Sequence, residues 1–165
     1  MTEPGSTFVT RSPAPIAQVA PADASVDVSF VFVTFGTGPV IVEAIEQLTR
    51  STVDVSYEVI VVDNPHPDVE RRSRNELALS TAGVRVLVAR RNLGFAGGCE
   101  LGALHARGRV LAFVNPDLFV RPGWIEPLLA RLEAGASIVA PVLLDPDGSI
   151  QEAGARVHSD GSTSP

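Results

Sequence analysis

The chain has 165 residues, 45% of them hydrophobic and 19% charged, enough apolar material for one core and length for about one domain, which argues against a two-domain enzyme. A formal charge of −6 and a pI near 5.0 argue against nucleic-acid binding through phosphate attraction, since no basic stripe stands out. Cys99 is the only cysteine, which excludes an internal disulfide and a cysteine-based zinc site and fits a reducing compartment.

Met1 to about Ala24 is rich in Pro, Ala, Ser and Thr without apolar periodicity, a composition that does not repay the entropy of ordering, so residues 1–24 read as a disordered tail. That stretch has neither a basic n-region nor a continuous apolar core, and no segment approaches membrane-spanning length. The expected location is therefore cytoplasmic, including the inner membrane surface as a peripheral site.

Val28 to Thr34 is a continuously apolar, β-branched and aromatic run and predicts a buried strand. Gly36, Gly38 and Pro39 break it, and Val40, Ile41, Ala44, Ile45 and Leu48 recur at helical spacing up to Arg50. Tyr57 to Asp63 is a second buried strand, and Asp68 to about Ser80 a polar, weakly amphipathic helix. The basic group Arg71, Arg72 and Arg74 lies there among acidic residues and reads as a solvated face. Val84 to Ala89 is a third strand, a turn at Arg90 to Gly94 follows, and a small-residue helix runs from about Phe95 to Arg107. Arg109 to Val114 gives a fourth buried strand ending at Asn115-Pro116-Asp117. Pro122 opens a helix through about Glu133, Ser137 to Ala140 is a fifth strand, and Asp145-Pro146-Asp147-Gly148 is a strong turn signal.

Strands alternating with helices at this spacing imply right-handed crossovers and an α/β fold: a three-layer, doubly wound, mostly parallel sheet. The domain is expected over 25–156, with a frayed tail at 157–165. Ligands in such folds bind beyond the carboxyl ends of the strands, which directs attention to Thr34-Phe35-Gly36, Asp63-Asn64, Arg90-Arg91-Asn92 and Asn115-Pro116-Asp117.

Gly36-Thr37-Gly38 has the position of a dinucleotide fingerprint, but Ile41 stands where the third glycine belongs and Pro39 removes a backbone donor, so the phosphate cradle loses its mechanism. Asp63 reads either as a carboxylate accepting paired hydrogen bonds from a base or ribose, or as a turn residue in Asp63-Asn64-Pro65-His66-Pro67. Asn115 and Asp117, with Pro116 stiffening the loop, offer oxygens to a hard cation that shares a phosphorylated ligand, or simply cap a strand. The glycines of Asn92 to Gly98 permit close approach of a ligand or another chain, or make a tight helix start. Arg90 and Arg91 are either phosphate partners or a solvated edge. His66 and His158 read as exposed loop residues.

In this order the motifs Val33-Thr34-Phe35, Val-Ile-Val-Val-Asp63-Asn64, Asn92-Leu-Gly-Phe-Ala-Gly-Gly98 and Phe-Val-Asn115-Pro-Asp117 followed by Pro122-Gly-Trp124 resemble the family-two glycosyltransferases with the GT-A fold, in particular a bacterial rhamnosyltransferase-like branch, over about Val26 to Arg156. The resemblance implies a nucleotide-diphosphate sugar as ligand. Its nucleoside pocket would be lined by Thr34, Phe35 and Asp63; Asn64, Arg91, Asn92, Gly94, Phe95, Ala96 and Asn115 would complete the donor site. Asp117 would hold a divalent cation, Mg²⁺ or Mn²⁺, dependent on the substrate's own oxygens, in polysaccharide synthesis. Departures are Gly36 where an asparagine is common, and Cys99 and Glu100 after the paired glycines. Such enzymes usually continue beyond Gln151 to Gly154 into an acceptor half with a catalytic carboxylate, so the resemblance makes this the donor half, truncated at its C-terminus. No carboxylate of this chain is nominated as catalytic base, and a catalytically inactive binding or interaction module is the competing expectation. Val139, Val142, Leu143 and Leu144 would then form an exposed edge that favours self-association or a partner chain.

Overall fold

A computed structural model describes residues 8–11, 26–82, 84–154, 156–159 and 163–164. The chain divides into two compact units, Met1–Val120 and Arg121–Pro165.

The first unit is built on a five-stranded sheet in the order β1-β4-β3-β2-β5. The strands are β1 (Phe8–Arg11), β2 (Val26–Thr34), β3 (Tyr57–Asp63), β4 (Arg85–Ala89) and β5 (Gly108–Val114). The helices α1 (Val40–Ser51), α2 (Val69–Thr81) and α3 (Gly94–Leu104) connect β2 to β5 in turn. Strands β2 to β5 are mutually parallel. The crossovers through α1 and α2 move in one direction across the sheet and the crossover through α3 returns past them. Right-handed connections therefore put α3 on the opposite face from α1 and α2.

Burial explains the pattern. Every residue of β3 is buried, and β2 is buried but for a partly exposed Asp27, as central strands covered on both faces require. Val33, Ile60, Val62, Leu87 and Leu101 form the core under α3, with Leu93, Cys99 and Ala106 packed against it. Cys99 is thus a small core-edge residue, and burial pushes its thiol pKa up. Gly98 and Gly102 face β2: a Cβ on Gly98 would lie 2.6 Å from Val33 Cγ1, and one on Gly102 would collide with Val31 Cγ1. These glycines serve the close approach of a helix to its own sheet.

At the amino ends of the strands, Glu58 is 2% exposed and accepts hydrogen bonds from Ser29 Oγ at 2.7 Å and from Arg107 N, Nε and Nη2 at 2.6, 3.1 and 2.9 Å. Arg85 Nη1 stands 3.8 Å away. Burial pushes the Glu58 pKa up, but the bonds from Ser29 and Arg107 and the charge of Arg85 outweigh it and hold the carboxyl below its ordinary value. This network explains why α3 stops at Leu104 rather than Arg107: the chain leaves the helix to deliver Arg107 to Glu58.

Expectations for several single elements are corrected. Phe8–Arg11, inside the stretch read as a disordered tail, pairs antiparallel with β4; the remainder of 1–24 lies outside the described residues. β5 is not a buried strand. It ends the sheet, its side chains alternate, and Leu111 and Phe113 are 43% and 50% exposed.

In the second unit, α4 (Ile125–Glu133) begins three residues after Pro122, because Gly123 takes a left-handed φ of 77° and interrupts the helical path. Ser137 to Ala140 forms no strand; Pro141 follows, and the short β6 (Leu143–Leu144) pairs instead with β7 (Ile150–Glu152). The Asp145 to Gly148 turn joins them as expected, closed by Asp145 N to Ser149 O at 2.9 Å. Val142 and Leu144 are 55% and 41% exposed, while Val139 and Leu143 are half-buried. Arg156–Val157 (β8) pairs with Thr163–Ser164 (β9) in the stretch read as a frayed tail; residues 160–162 and 165 lie outside the described residues.

Candidate functional site

The carboxyl ends of the parallel strands stand level. Thr34 is in register with Asp63, Asp63 with Val88, and Phe32 with Val114. The direction of winding reverses between β2 and β5, which makes the loops after Thr34 and Val114 the two walls of the topological switch point, where α/β sheets bind ligands. The N-termini of α1 and α3 lie at this same edge and bring partial positive charge to it.

Thr34 and Asp63 are 1% and 5% exposed, and one side chain joins them. Asn75 of α2, itself 1% exposed, donates from Nδ2 to Asp63 Oδ1 at 2.7 Å. Its Oδ1 accepts from Gly38 N at 3.0 Å and from Thr34 Oγ1 at 3.2 Å. Thr34 Oγ1 is also hydrogen-bonded to Thr37 Oγ1 at 2.7 Å. The Gly38 amide is thereby occupied by Asn75. Asn75 carried no signal in the sequence: it is one polar residue among many in α2, and only the helix's orientation turns it inward.

Phe35 is 43% exposed and its ring lies 4.4 Å, centroid to centroid, from that of His66. His66 is half-buried, not the exposed loop histidine expected. Its Nδ1 accepts from Asp68 N at 3.1 Å, and Asp68 in turn caps α2 by accepting from Glu70 N and Arg71 N. Gly36, at φ 66°, is needed between these rings, since a Cβ there would meet the His66 ring at 3.0 Å.

Asn64 is buried, and both ends of its amide hold the entrance to α3: Oδ1 accepts from Leu93 N at 2.9 Å and Nδ2 donates to Gly94 O at 3.4 Å. Asn92 closes the same turn by accepting from Gly94 N at 2.8 Å, with Gly94 at φ 69°. Asn64 and Asn92 therefore shape the loop that carries Gly94, Phe95 and Ala96, all exposed at the first turn of α3. Arg91 and Asn92 also line a groove of about 500 Å³ along the flank of α3 with Leu93, Gly97, Glu100, Leu101 and Leu104.

Asn115 and Asp117 follow β5 with exposed side chains, in a turn closed by Leu118 N to Asn115 O at 3.1 Å. Among the described residues no group of three or more His, Cys, Asp or Glu side chains stands together. One carboxylate and one amide oxygen are donors of the type a hard cation takes, but too few to bind it without further oxygens from a ligand. Among the described residues no helix is long and apolar enough to cross a membrane.

Comparison with known proteins gives a consistent result. The profile of the family described as glycosyl transferase family 2 matches residues 29–158. Polypeptide N-acetylgalactosaminyltransferase 15 of Mus musculus is 35% identical over 88 residues, 52% of this chain and 14% of that protein. The succinoglycan biosynthesis protein ExoO of Rhizobium meliloti (strain 1021) is 32% identical over 119 residues, 72% of this chain and 33% of that protein. The crystal structure of S. aureus TarS 1-349 superposes with a TM-score of 0.50 at 20% identity, covering 66% of this chain and 32% of that one, a likeness of fold. The chain thus spans a third or less of the length of these relatives.

Proposed function

The chain belongs to glycosyl transferase family 2, with the α/β sheet of the GT-A fold, and from this we propose that it binds a nucleotide-diphosphate sugar at the carboxyl edge of β2 to β5 and presents the sugar for transfer. The observation that carries the reading is the convergence of buried Thr34 and Asp63 beside exposed Phe35 at the switch point. A carboxylate there accepts from a base imide or ribose hydroxyls, and an exposed aromatic face suits a planar base. Asn64 and Asn92 hold the α3 entrance, so Gly94, Phe95 and Ala96 border the sugar, and Arg91 supplies positive charge.

Transfer breaks the bond between the anomeric carbon and the diphosphate oxygen and leaves negative charge on the departing diphosphate. Asp117, with Asn115 beside it, would hold Mg²⁺ or Mn²⁺ together with diphosphate oxygens, and the cation supplies electrostatic stabilisation of that leaving charge. The α3 N-terminus at the same edge contributes in the same sense.

The acceptor is proposed to be a growing surface polysaccharide and the sugar donor of the rhamnosyl type. The motif order supports this, as does the likeness to ExoO, which extends over more of this chain than that to the N-acetylgalactosaminyltransferase. The place of action proposed is the cytoplasm, at the inner membrane surface, and the apolar edges exposed in each unit support self-association or a partner chain.

Calorimetric titration of uridine and thymidine diphosphates and their sugars, with and without Mn²⁺, tests the donor site on wild type and Asp117→Ala. Metal-dependent affinity that falls at least about tenfold in the variant, equivalent to about 1.4 kcal/mol, is expected. No binding under any condition refutes the reading; binding without transfer to any saccharide acceptor marks a binding module.

A further inference from the structure

We propose that Asn75 is a positioning residue of the donor site, locking the Asp63 carboxylate and the Gly38 loop in the geometry that receives the nucleoside. This rests on the donor-site reading above. An amide buried to 1% exposure is costly wherever its donors and acceptors are unmatched. This one sits in a helix where Glu70, Arg71, Arg72, Ser73, Arg74 and Ser80 are exposed, with Leu79 one turn on as its buried neighbour.

Its orientation is dictated by its partners. A backbone N–H only donates and a carboxylate oxygen only accepts, so Oδ1 must face Gly38 and Nδ2 must face Asp63. The three partners belong to three separate places: Thr34 at the end of β2, Gly38 at the start of α1, and Asp63 at the end of β3. One side chain from α2 therefore ties together the parts of the edge that the nucleoside would touch. The 2.7 Å bond to Asp63 Oδ1 stops the carboxylate from rotating, so its recognition geometry exists before the ligand arrives. The loop Phe35 to Pro39 is held by the same amide, and the same helix begins at the Asp68 cap beside His66, whose ring packs at a tilt against Phe35.

The test is Asn75→Asp, which is isosteric. It keeps an acceptor for Gly38 N and Thr34 Oγ1, and it replaces the donor facing Asp63 with a second carboxylate. The groups on the amide are the carboxylate of Asp63, from β3, and the uncharged Thr34 and Gly38. The charged side chains of α2 one turn away, Arg71 and Arg72, are exposed, and His66 lies in the β3–α2 loop. Two carboxyls in contact share one proton at raised pKa, and the shared proton restores a donor. Titration of uridine and thymidine diphosphates with Mn²⁺ at about pH 8 should show at least about a tenfold loss of affinity, recovering as the pH is lowered to about 5.5. Wild type over the same range controls for His66, and thermal melts at each pH establish that both proteins are folded. A wild type that binds neither nucleotide overturns the donor-site reading and this inference with it. A folded variant that binds as wild type does, or that loses affinity equally at every pH, overturns the inference alone.

Should the variant not fold, the wild type answers directly. The side-chain amide resonance of Asn75 and the backbone amide of Gly38 should both shift on saturation with the nucleotide. If they stay unmoved while Phe35 responds, the inference fails.

Discussion

Replacing Glu58 with Gln preserves shape and removes one charge from the most buried ionic group among the described residues. Glu58 is 2% exposed, and the side chains of its partners Arg107 and Arg85 are 24% and 27% exposed. Removing one partner of a buried pair costs about 3–5 kcal/mol because the remaining charge stays desolvated. Here the guanidinium groups keep some water, and a glutamine oxygen can still accept from Ser29 or from Arg107 N, so the cost sits at the low end, about 3 kcal/mol. For a unit ending at Val120, this corresponds to a fall in Tm of roughly 10 °C. Urea unfolding at neutral pH, followed by circular dichroism, reads the difference. A loss below about 1 kcal/mol refutes the claim that the network is desolvated. The pH dependence has a definite sign. The folded pKa of Glu58 lies below the ordinary 4.5, so its contribution is complete above that value and is lost as pH falls through the lower folded one. The gap between wild type and Glu58→Gln should be flat from neutral pH to about 5 and close below it.

Gly98→Ala brings a Cβ within 2.6 and 3.0 Å of the two Val33 methyls, and a β-branched side chain has no second rotamer that clears both. With both methyls struck, overpacking in the upper part of the range, about 2–3 kcal/mol, outweighs a helix-propensity gain of about 1 kcal/mol, so denaturant unfolding should show a net loss of roughly 1–2 kcal/mol at unchanged slope; a variant equal to or more stable than wild type refutes the close packing. Light scattering over a concentration series should show a mean mass rising above 17.4 kDa, as exposed Leu111, Phe113, Val142 and Leu144 find partners; a constant monomer mass counts against association.

The elements most legible in the sequence were those whose apolar runs leave one solution. β2 and β3 could only be central strands, because Val28 to Val33 and Val59 to Val62 offer no polar face. Their ends then fixed Thr34 and Asp63 as places to search. Less legible was whatever depended on partners far along the chain. β5 carries the same kind of run as β3, yet lies at the sheet's end with Leu111 and Phe113 exposed. Ser137 to Ala140 has strand composition, but Pro141 and the pairing of β6 with β7 leave it unpaired. Glu58 did leave a trace, one acid inside an apolar strand, but nothing among the 13 basic residues marks Arg107 as its partner. Asn75 left none, since nothing in α2's composition distinguishes a buried amide from an exposed one. His66 was misjudged because its contact with Phe35 depends on a left-handed glycine bringing two loops together.

The order of strands also governs when the sheet can be completed. β2 pairs with β3 across a separation of about 29 residues, but its other neighbour arrives much later: Gly108 of β5 meets Ser29 across 79 residues. At ribosomal rates of about 5–20 residues per second, synthesis of that interval takes roughly 4–16 s. Until β3 emerges the backbone of Val28 to Phe32 has no strand partner, and from then until β5 it has one hydrogen-bonded flank, while its apolar side chains await α3 as well. The nascent chain therefore passes through a period with an open, hydrophobic strand edge. It is then most susceptible to pairing with a neighbouring nascent copy.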